Sequence, residues 1–148
     1  MSHADPIALH PGAVDPAVLH AFATAMGLDV TRELVTLYGT SAADRLTEIR
    51  DGLAGDSCAA VRHAAHALTS SAGAVGAVQV AAFARALETH AVDGWSAPPH
   101  AAAEALEAAV GASNQRLLIV LGDLTDAGVG ADPEFAGAAD GAPWDELP

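Results

Sequence analysis

Hydrophobic residues in this chain recur mainly at three- and four-residue steps, the spacing that places them on one face of an α-helix. The pattern predicts one short helix followed by four longer ones. The approximate bounds are residues 15–27, 29–53, 57–75, 77–92 and 100–124. The apolar run at 117–121 could form a buried strand in isolation. No second strand is available to pair with it, so we predict that it is helical.

Residues that favour helix ends stand at several of these boundaries. Asp15 is a suitable N-cap, and Pro16 after it suits the first helical turn. Gly27 and Gly55 are suited to ending a helix, and Asp56 is predicted to cap the helix that follows. The connections between the predicted helices are therefore short, which favours antiparallel neighbours.

The two helices around residues 29–53 and 57–75 have clear apolar faces. The first face comprises Leu34, Leu37, Tyr38, Ala42, Leu46, Ile49 and Leu53, and the second comprises Val61, Ala64, Ala65, Leu68, Ala72 and Val75. We predict an all-α fold, an antiparallel up-down four-helix bundle over residues 15–126 with a short extra N-terminal helix. Residues 1–14 are predicted to be a flexible leader. Residues 127–148, rich in Gly, Ala, Asp and Pro, are predicted to be a disordered acidic tail.

Composition narrows the classes of function. Hydrophobic residues make up 51% of the 148 residues and aromatic residues only 4%. The formal net charge is −13, and all six basic residues are arginines, so binding to nucleic acid or to an anionic membrane is not expected. Cys58 is the single cysteine and excludes an internal disulfide. No signal peptide or membrane-spanning run is recognised, and we predict a cytoplasmic monomer.

The helix at 57–75 carries the most informative polar residues. If its apolar face points to the core, His66 points to solvent from the middle of the helix, together with Arg62, Thr69, Ser70 and Gly73. Small residues and glycine weaken a helix interior, so their position one turn after His66 suggests a surface left open for a partner. An unperturbed imidazole, with a pKa of about 6.5, is largely neutral at cell pH and can act as a nucleophile.

This stretch resembles the histidine-containing phosphotransfer (HPt) domain family, whose core reads roughly A-H-x-L-K-G-S-[SA]-x-x-x-G-A, with L-E one helix later. Here residues 65–72 read AHALTSSA, residues 76–77 read GA and residues 87–88 read LE. The resemblance in helix layout extends over roughly residues 15–126. It implies a helical bundle that carries phosphoryl groups between signalling proteins.

The resemblance also implies roles for particular residues. His66 would be the phosphoryl acceptor, and Ser71 and Gly76 would allow close helix packing. Glu88 would lie near the imidazole, where the family often has a polar residue. Independently of the resemblance, the hydroxyls of Thr69 and Ser70 are suited to donate to a bound phosphoryl oxygen. The docking face for the partner would comprise Arg62, His63 and Gly73.

The partners implied are a response-regulator receiver domain, a hybrid histidine kinase, or both. Such a module is a phosphocarrier and not an enzyme, because the receiver supplies most of the catalysis and the Mg²⁺. No cofactor of its own is expected. Two positions depart from the family pattern, since Thr69 replaces the usual lysine and Ser70 the usual glycine. The alternative interpretation is therefore a helical adaptor that binds a receiver or kinase without being phosphorylated.

Other chemistries have weaker support in the sequence. His63 and His66 are spaced for metal binding, but no Cys or carboxylate lies within a turn to complete a site, so no metal is predicted. The serines at 70–71 lack the strand and the surrounding glycines of a hydrolase nucleophile. Residues 123–134 have the length of a calcium loop, but Thr125 and Ala127 replace expected acidic ligands.

Overall fold

The computed structural model describes residues 12–130, and this part of the chain folds into helices and turns without a strand. The helices are α1 (Pro16–Met26), α2 (Leu28–Ala54), α3 (Cys58–Val75), α4 (Val78–Asp93) and α5 (His100–Asp126). The predicted all-α fold is confirmed, including the helical state of residues 117–121. Most of the predicted leader and tail lies outside the described residues, so their proposed disorder stays a prediction.

Two of the helix starts have side-chain caps. The Asp15 carboxylate accepts a hydrogen bond from the Ala17 amide (3.0 Å), as predicted. At the start of α3 the cap is Ser57, whose hydroxyl accepts from the Ala60 amide (3.2 Å). The prediction that Asp56 caps this helix is wrong. The Asp56 backbone lies in the left-handed region (φ 52°), and its carboxylate accepts a hydrogen bond from the indole of Trp95 (2.6 Å).

Helices α2 to α5 form a closed arrangement in which each helix packs against its neighbours. The most extensive contacts are those of α3 with α4 and with α2, and α5 completes the bundle between α4 and α2. Short connections join α2 to α3 and α3 to α4, as expected for antiparallel neighbours. The short α1 contacts α2, α5 and α3. Helix α3 therefore has a buried face fixed by two neighbours and an outer face left open.

Leucine, valine and alanine side chains fill the core. Burial of a leucine or valine side chain contributes about 1.5–3 kcal/mol, so the leucines dominate the stabilisation, while the alanines allow close helix approach. All six residues of the predicted apolar face of α3 are buried. The largest fully buried apolar side chains are Leu19, Ile49, Leu68, Leu87, Leu106, Leu117, Val61, Val75 and Val80.

The predicted apolar face of α2 is displaced at its N-terminal end. The prediction that Leu37 faces the core is wrong, because this side chain is 67% exposed, while Thr31 and Val35 are buried. Tyr38 is buried as predicted, and Leu37 lies about a third of a turn away from it, so the two cannot face the same way. Burial raises the pKa of the Tyr38 hydroxyl, and the Ser113 side chain lowers it by a smaller amount.

Candidate functional site

The middle of α3 presents His66 to solvent. Its side chain is 71% exposed, because the two residues before it, Ala64 and Ala65, and Leu68 after it are buried against the neighbouring helices. The burial of this face fixes the rotation of α3, so His66 necessarily points outward. The predicted exposure of His66 is thus confirmed by the packing of its neighbours.

The imidazole of His66 is held by a carboxylate from the next helix. Glu88 of α4 is half-buried, with its side chain 24% exposed, and its Oε1 lies 2.9 Å from His66 Nδ1. An ionised carboxylate only accepts hydrogen bonds, so with an ionised Glu88 the proton of a neutral imidazole lies on Nδ1. Nε2 then carries the free lone pair of a side chain that is largely exposed.

A cleft lies beside His66, with a volume of about 530 Å³. Its lining residues are Ala59, Arg62, His63, His66, Glu88 and Val92. Helical side chains lean toward the N-terminus of their helix, so the His66 ring lies over the turn that carries Arg62 and His63. The structure thereby brings four predicted site residues together, namely Arg62, His63, His66 and Glu88.

The residues one turn after His66 do not line this cleft. The Thr69 hydroxyl donates to the Ala65 carbonyl (2.9 Å) within α3. Ser70 and Gly73 are exposed, and a side chain at Gly73 would meet no atom within 4 Å. The surface around Ser70 and Gly73 is therefore open, as predicted. The expected contact of Thr69 with a phosphoryl group would require its hydroxyl to leave Ala65.

Two lining residues, Ala59 and Val92, were not singled out from the sequence. Ala59 precedes Arg62 and His66 by three and seven residues, and Val92 follows Glu88 by four, so all of them repeat at helical spacing. This periodicity could have indicated them once His66 and Glu88 were paired. Val92 is 58% exposed and adds an apolar surface next to the polar groups.

Within residues 12–130, no three His, Cys, Asp or Glu side chains are grouped as a metal site requires. Helices of this part of the chain also lack the combination of length and apolar character needed to cross a membrane. Calcium binding at 123–134 was not predicted. Residues 123–126 are the last turn of α5, and 131–134 lie outside the described range.

A helical bundle with an exposed mid-helix histidine, backed by a carboxylate from the adjacent helix, has the architecture of a histidine phosphotransfer module. The Hpt domain family model matches residues 33–117, more than half of the chain. The chain belongs to the Hpt domain family, and the resemblance noted in the sequence is confirmed. This family functions in phosphorelays.

The fold is shared with a protein of known structure. The crystal structure of histidine-containing phosphotransfer protein B (HptB) from Pseudomonas aeruginosa PAO1 matches with a TM-score of 0.70. The match covers 81% of this chain and 98% of that chain at 22% sequence identity, so it supports the fold alone. Comparison with curated protein sequences gave no significant match.

Proposed function

We propose that this protein is a phosphocarrier that accepts a phosphoryl group on Nε2 of His66 and passes it to a receiver-domain aspartate. The observation that carries the proposal is the 2.9 Å contact between His66 Nδ1 and Glu88 on an otherwise open helix face. That contact favours the tautomer with a nucleophilic Nε2. The donor would be a phosphorylated receiver domain or a histidine kinase, and the carrier would act as a cytoplasmic monomer.

The transfer step balances without a cofactor of this chain. The Nε2 lone pair attacks the phosphorus of a receiver acyl phosphate, the Nε2–P bond forms, and the P–O bond breaks to release the aspartate carboxylate. The ring becomes cationic, with its proton still on Nδ1, and the Glu88 carboxylate stabilises that charge. In the reverse direction an aspartate carboxylate of the receiver attacks the phosphorus, a P–O bond forms and the Nε2–P bond breaks. We propose that the receiver supplies the Mg²⁺ that neutralises the phosphoryl oxygens.

Docking of the partner would use the face around His66. Arg62 and His63 lie on one side of His66, and the exposed Ser70 and Gly73 lie on the other. No bulky side chain stands at Ser70 or Gly73, so the receiver's phosphorylated aspartate can approach Nε2 closely. Reacting atoms must come within about 3–3.5 Å, which is the reason an open surface matters here.

The test is phosphotransfer from a panel of phosphorylated receiver domains and autophosphorylated histidine kinases from the same source. We expect an acid-labile, base-stable label on the native chain, located by peptide mapping to residue 66. A His90→Gln variant is the matched control, because His90 is an exposed histidine on α4 that does not line the cleft. Label located on another residue would contradict the assignment of the acceptor.

Replacing Glu88 by glutamine is expected to slow transfer without abolishing it. The Glu88→Gln side chain can still accept from Nδ1, but it cannot stabilise the cationic ring as a carboxylate does. A loss of about 1.4 kcal/mol would reduce the transfer rate at saturating donor about tenfold. Rapid-quench kinetics would measure the rate, and imidazole ¹⁵N shifts would report the tautomer.

Glu104→Gln is the control for this substitution, because Glu104 is exposed on α5 and does not line the cleft. It removes the same charge from the chain and should leave the rate unchanged. An equal effect of both substitutions would indicate a general influence of net charge and would contradict a specific role of Glu88.

A second candidate function is a helical adaptor that binds a receiver or kinase without accepting phosphate. The observation that favours it is the Thr69 hydroxyl, which is occupied by the Ala65 carbonyl and provides no positive charge. An adaptor would bind its partner equally well with His66→Gln and would yield no acid-labile label from any donor. Calorimetric binding measured beside the transfer assay separates the two functions.

A further inference from the structure

A phosphoryl group on His66 would enter an unfavourable electrostatic environment. A phosphate monoester carries a charge of about −1.5 to −2 at pH 7, and a phosphorylated ring nitrogen presents a comparable dianion. The Glu88 carboxylate is 2.9 Å from the other ring nitrogen, and the formal net charge of the chain is −13. A cation close to Nε2 would therefore stabilise the phosphorylated state. Thr69 cannot supply one.

Arg62 is placed to be that cation. It lines the cleft together with His66 and Glu88, one helical turn before His66. Within the described part of the chain, three of the six arginines have carboxylate partners, namely Arg32, Arg45 and Arg50. Among residues 12–130, the identified ion pairs do not include Arg62, and its side chain is exposed. Its guanidinium is thus available for an anion.

The position of the cleft favours Arg62 over a residue after His66. Because Cα–Cβ bonds tilt toward the helix N-terminus, the imidazole leans over the turn that precedes it. The cleft lies on that side, with Ala59 and Arg62 among its lining residues, while Thr69 and Ser70 lie outside it. The planar guanidinium offers up to five N–H donors, and its paired donors match the spacing of phosphoryl oxygens.

We propose that Arg62 binds the phosphoryl group of phosphorylated His66 and supplies the positive charge that Thr69 lacks. The inference rests on the proposed phosphorylation of His66. Arg62 acts on the phosphorylated state of this chain itself, in addition to any contact it makes with a docked receiver. Its contribution should be measurable with no partner protein present.

The test uses chemical phosphorylation with phosphoramidate, which removes the partner from the experiment. The His66 Nε2–P bond forms, the P–N bond of the reagent breaks, and ammonia leaves. The pKa of the phosphoryl group is then read from a ³¹P NMR titration. A neighbouring cation lowers this pKa, so Arg62→Gln should raise it by about 0.5 relative to the native chain, the size expected for an exposed charge pair. Arg62→Lys should restore most of the native value.

Arg85→Gln is the matched control, since Arg85 is an exposed arginine on α4 that does not line the cleft. Its titration should follow the native curve. A shift with Arg85→Gln and none with Arg62→Gln would overturn the assignment to Arg62, and so would an unchanged titration in both variants. In either case a phosphohistidine signal at residue 66 would leave the proposed function standing. Its absence from the native chain, with labelling elsewhere, would instead contradict the proposed acceptor.

Discussion

Replacement of His66 by glutamine is expected to abolish phosphoryl acceptance from every donor that labels the native chain. The glutamine amide nitrogen has no basic lone pair, so no covalent bond to phosphorus can form. The fold should be unaffected, because the side chain is 71% exposed and contributes nothing to the core. Its contact with Glu88 is near the surface and contributes at most about 1 kcal/mol to stability.

The measurement pairs a radiolabel transfer assay with thermal unfolding followed by circular dichroism. We expect no acid-labile label on His66→Gln and an unfolding midpoint within about 4 °C of the native value. His90→Gln provides a control for the loss of an exposed histidine elsewhere, on α4 and outside the cleft. Residual labelling of His66→Gln at the native rate would place the acceptor on another residue and remove the basis of the proposed function.

The missing positive charge at Thr69 would be the explanation for a failure of the native chain to accept a phosphoryl group. If no donor labels the native chain although a receiver binds to it, the adaptor function is favoured. The hydroxyl of Thr69 bonds to Ala65, so this side chain takes part in helix α3 and not in the cleft. The substitution Thr69→Lys could then be tested for a gain of labelling.

The exposure of His66 could be predicted from the sequence because it depends on the periodicity of a single helix. Val61, Leu68 and Val75 define the buried face of α3, and a residue in the middle of the opposite face must be outside. The cap at Asp15 was likewise predictable, since it depends on a side chain and the amide two residues later. Local rules are sufficient for such features.

Features that depend on contacts between distant residues were not predictable. Asp56 has the chemistry of a helix cap, but its carboxylate is bound by Trp95, 39 residues away. Leu37 has the hydrophobicity of a core residue, but the rotation of α2 is set by the packing of Val35 and Tyr38. The sequence also could not predict on which side of His66 the cleft lies, because α4 supplies two of the lining residues.

The turn between α3 and α4 shows a close approach that only glycine permits. Gly76 ends α3 in the left-handed conformation (φ 79°), and its carbonyl accepts a hydrogen bond from the Asp15 amide (2.8 Å). A Cβ atom at this position would lie 2.7 Å from the Asp15 carbonyl oxygen and 2.9 Å from Val18 Cβ. The role in close helix packing that the resemblance implied for Gly76 therefore has a direct geometric basis.

Gly76→Ala is expected to destabilise the protein by about 3 kcal/mol. The left-handed backbone costs an alanine about 1–2 kcal/mol, and displacement of the start of α1 adds about 1–3 kcal/mol. For a domain of this size the unfolding midpoint should fall by roughly 10 °C. Urea unfolding and thermal unfolding would both measure the loss. Phosphotransfer well below the midpoint should persist, because Gly76 lies beyond the C-terminal end of α3, away from the residues of the cleft.

Gly111→Ala is the matched control for this substitution. Gly111 lies within α5 and is exposed, and a Cβ atom at this position would meet no atom within 4 Å, so alanine should stabilise the protein by about 0.5–1 kcal/mol. Opposite signs for the two glycine-to-alanine changes follow from their surroundings alone, since the added atoms are identical. An unfolding midpoint for Gly76→Ala equal to that of the native chain would contradict the close approach of α1 to this turn. It would also show that the stability of the helical bundle, including the site on α3, does not depend on the contact with α1.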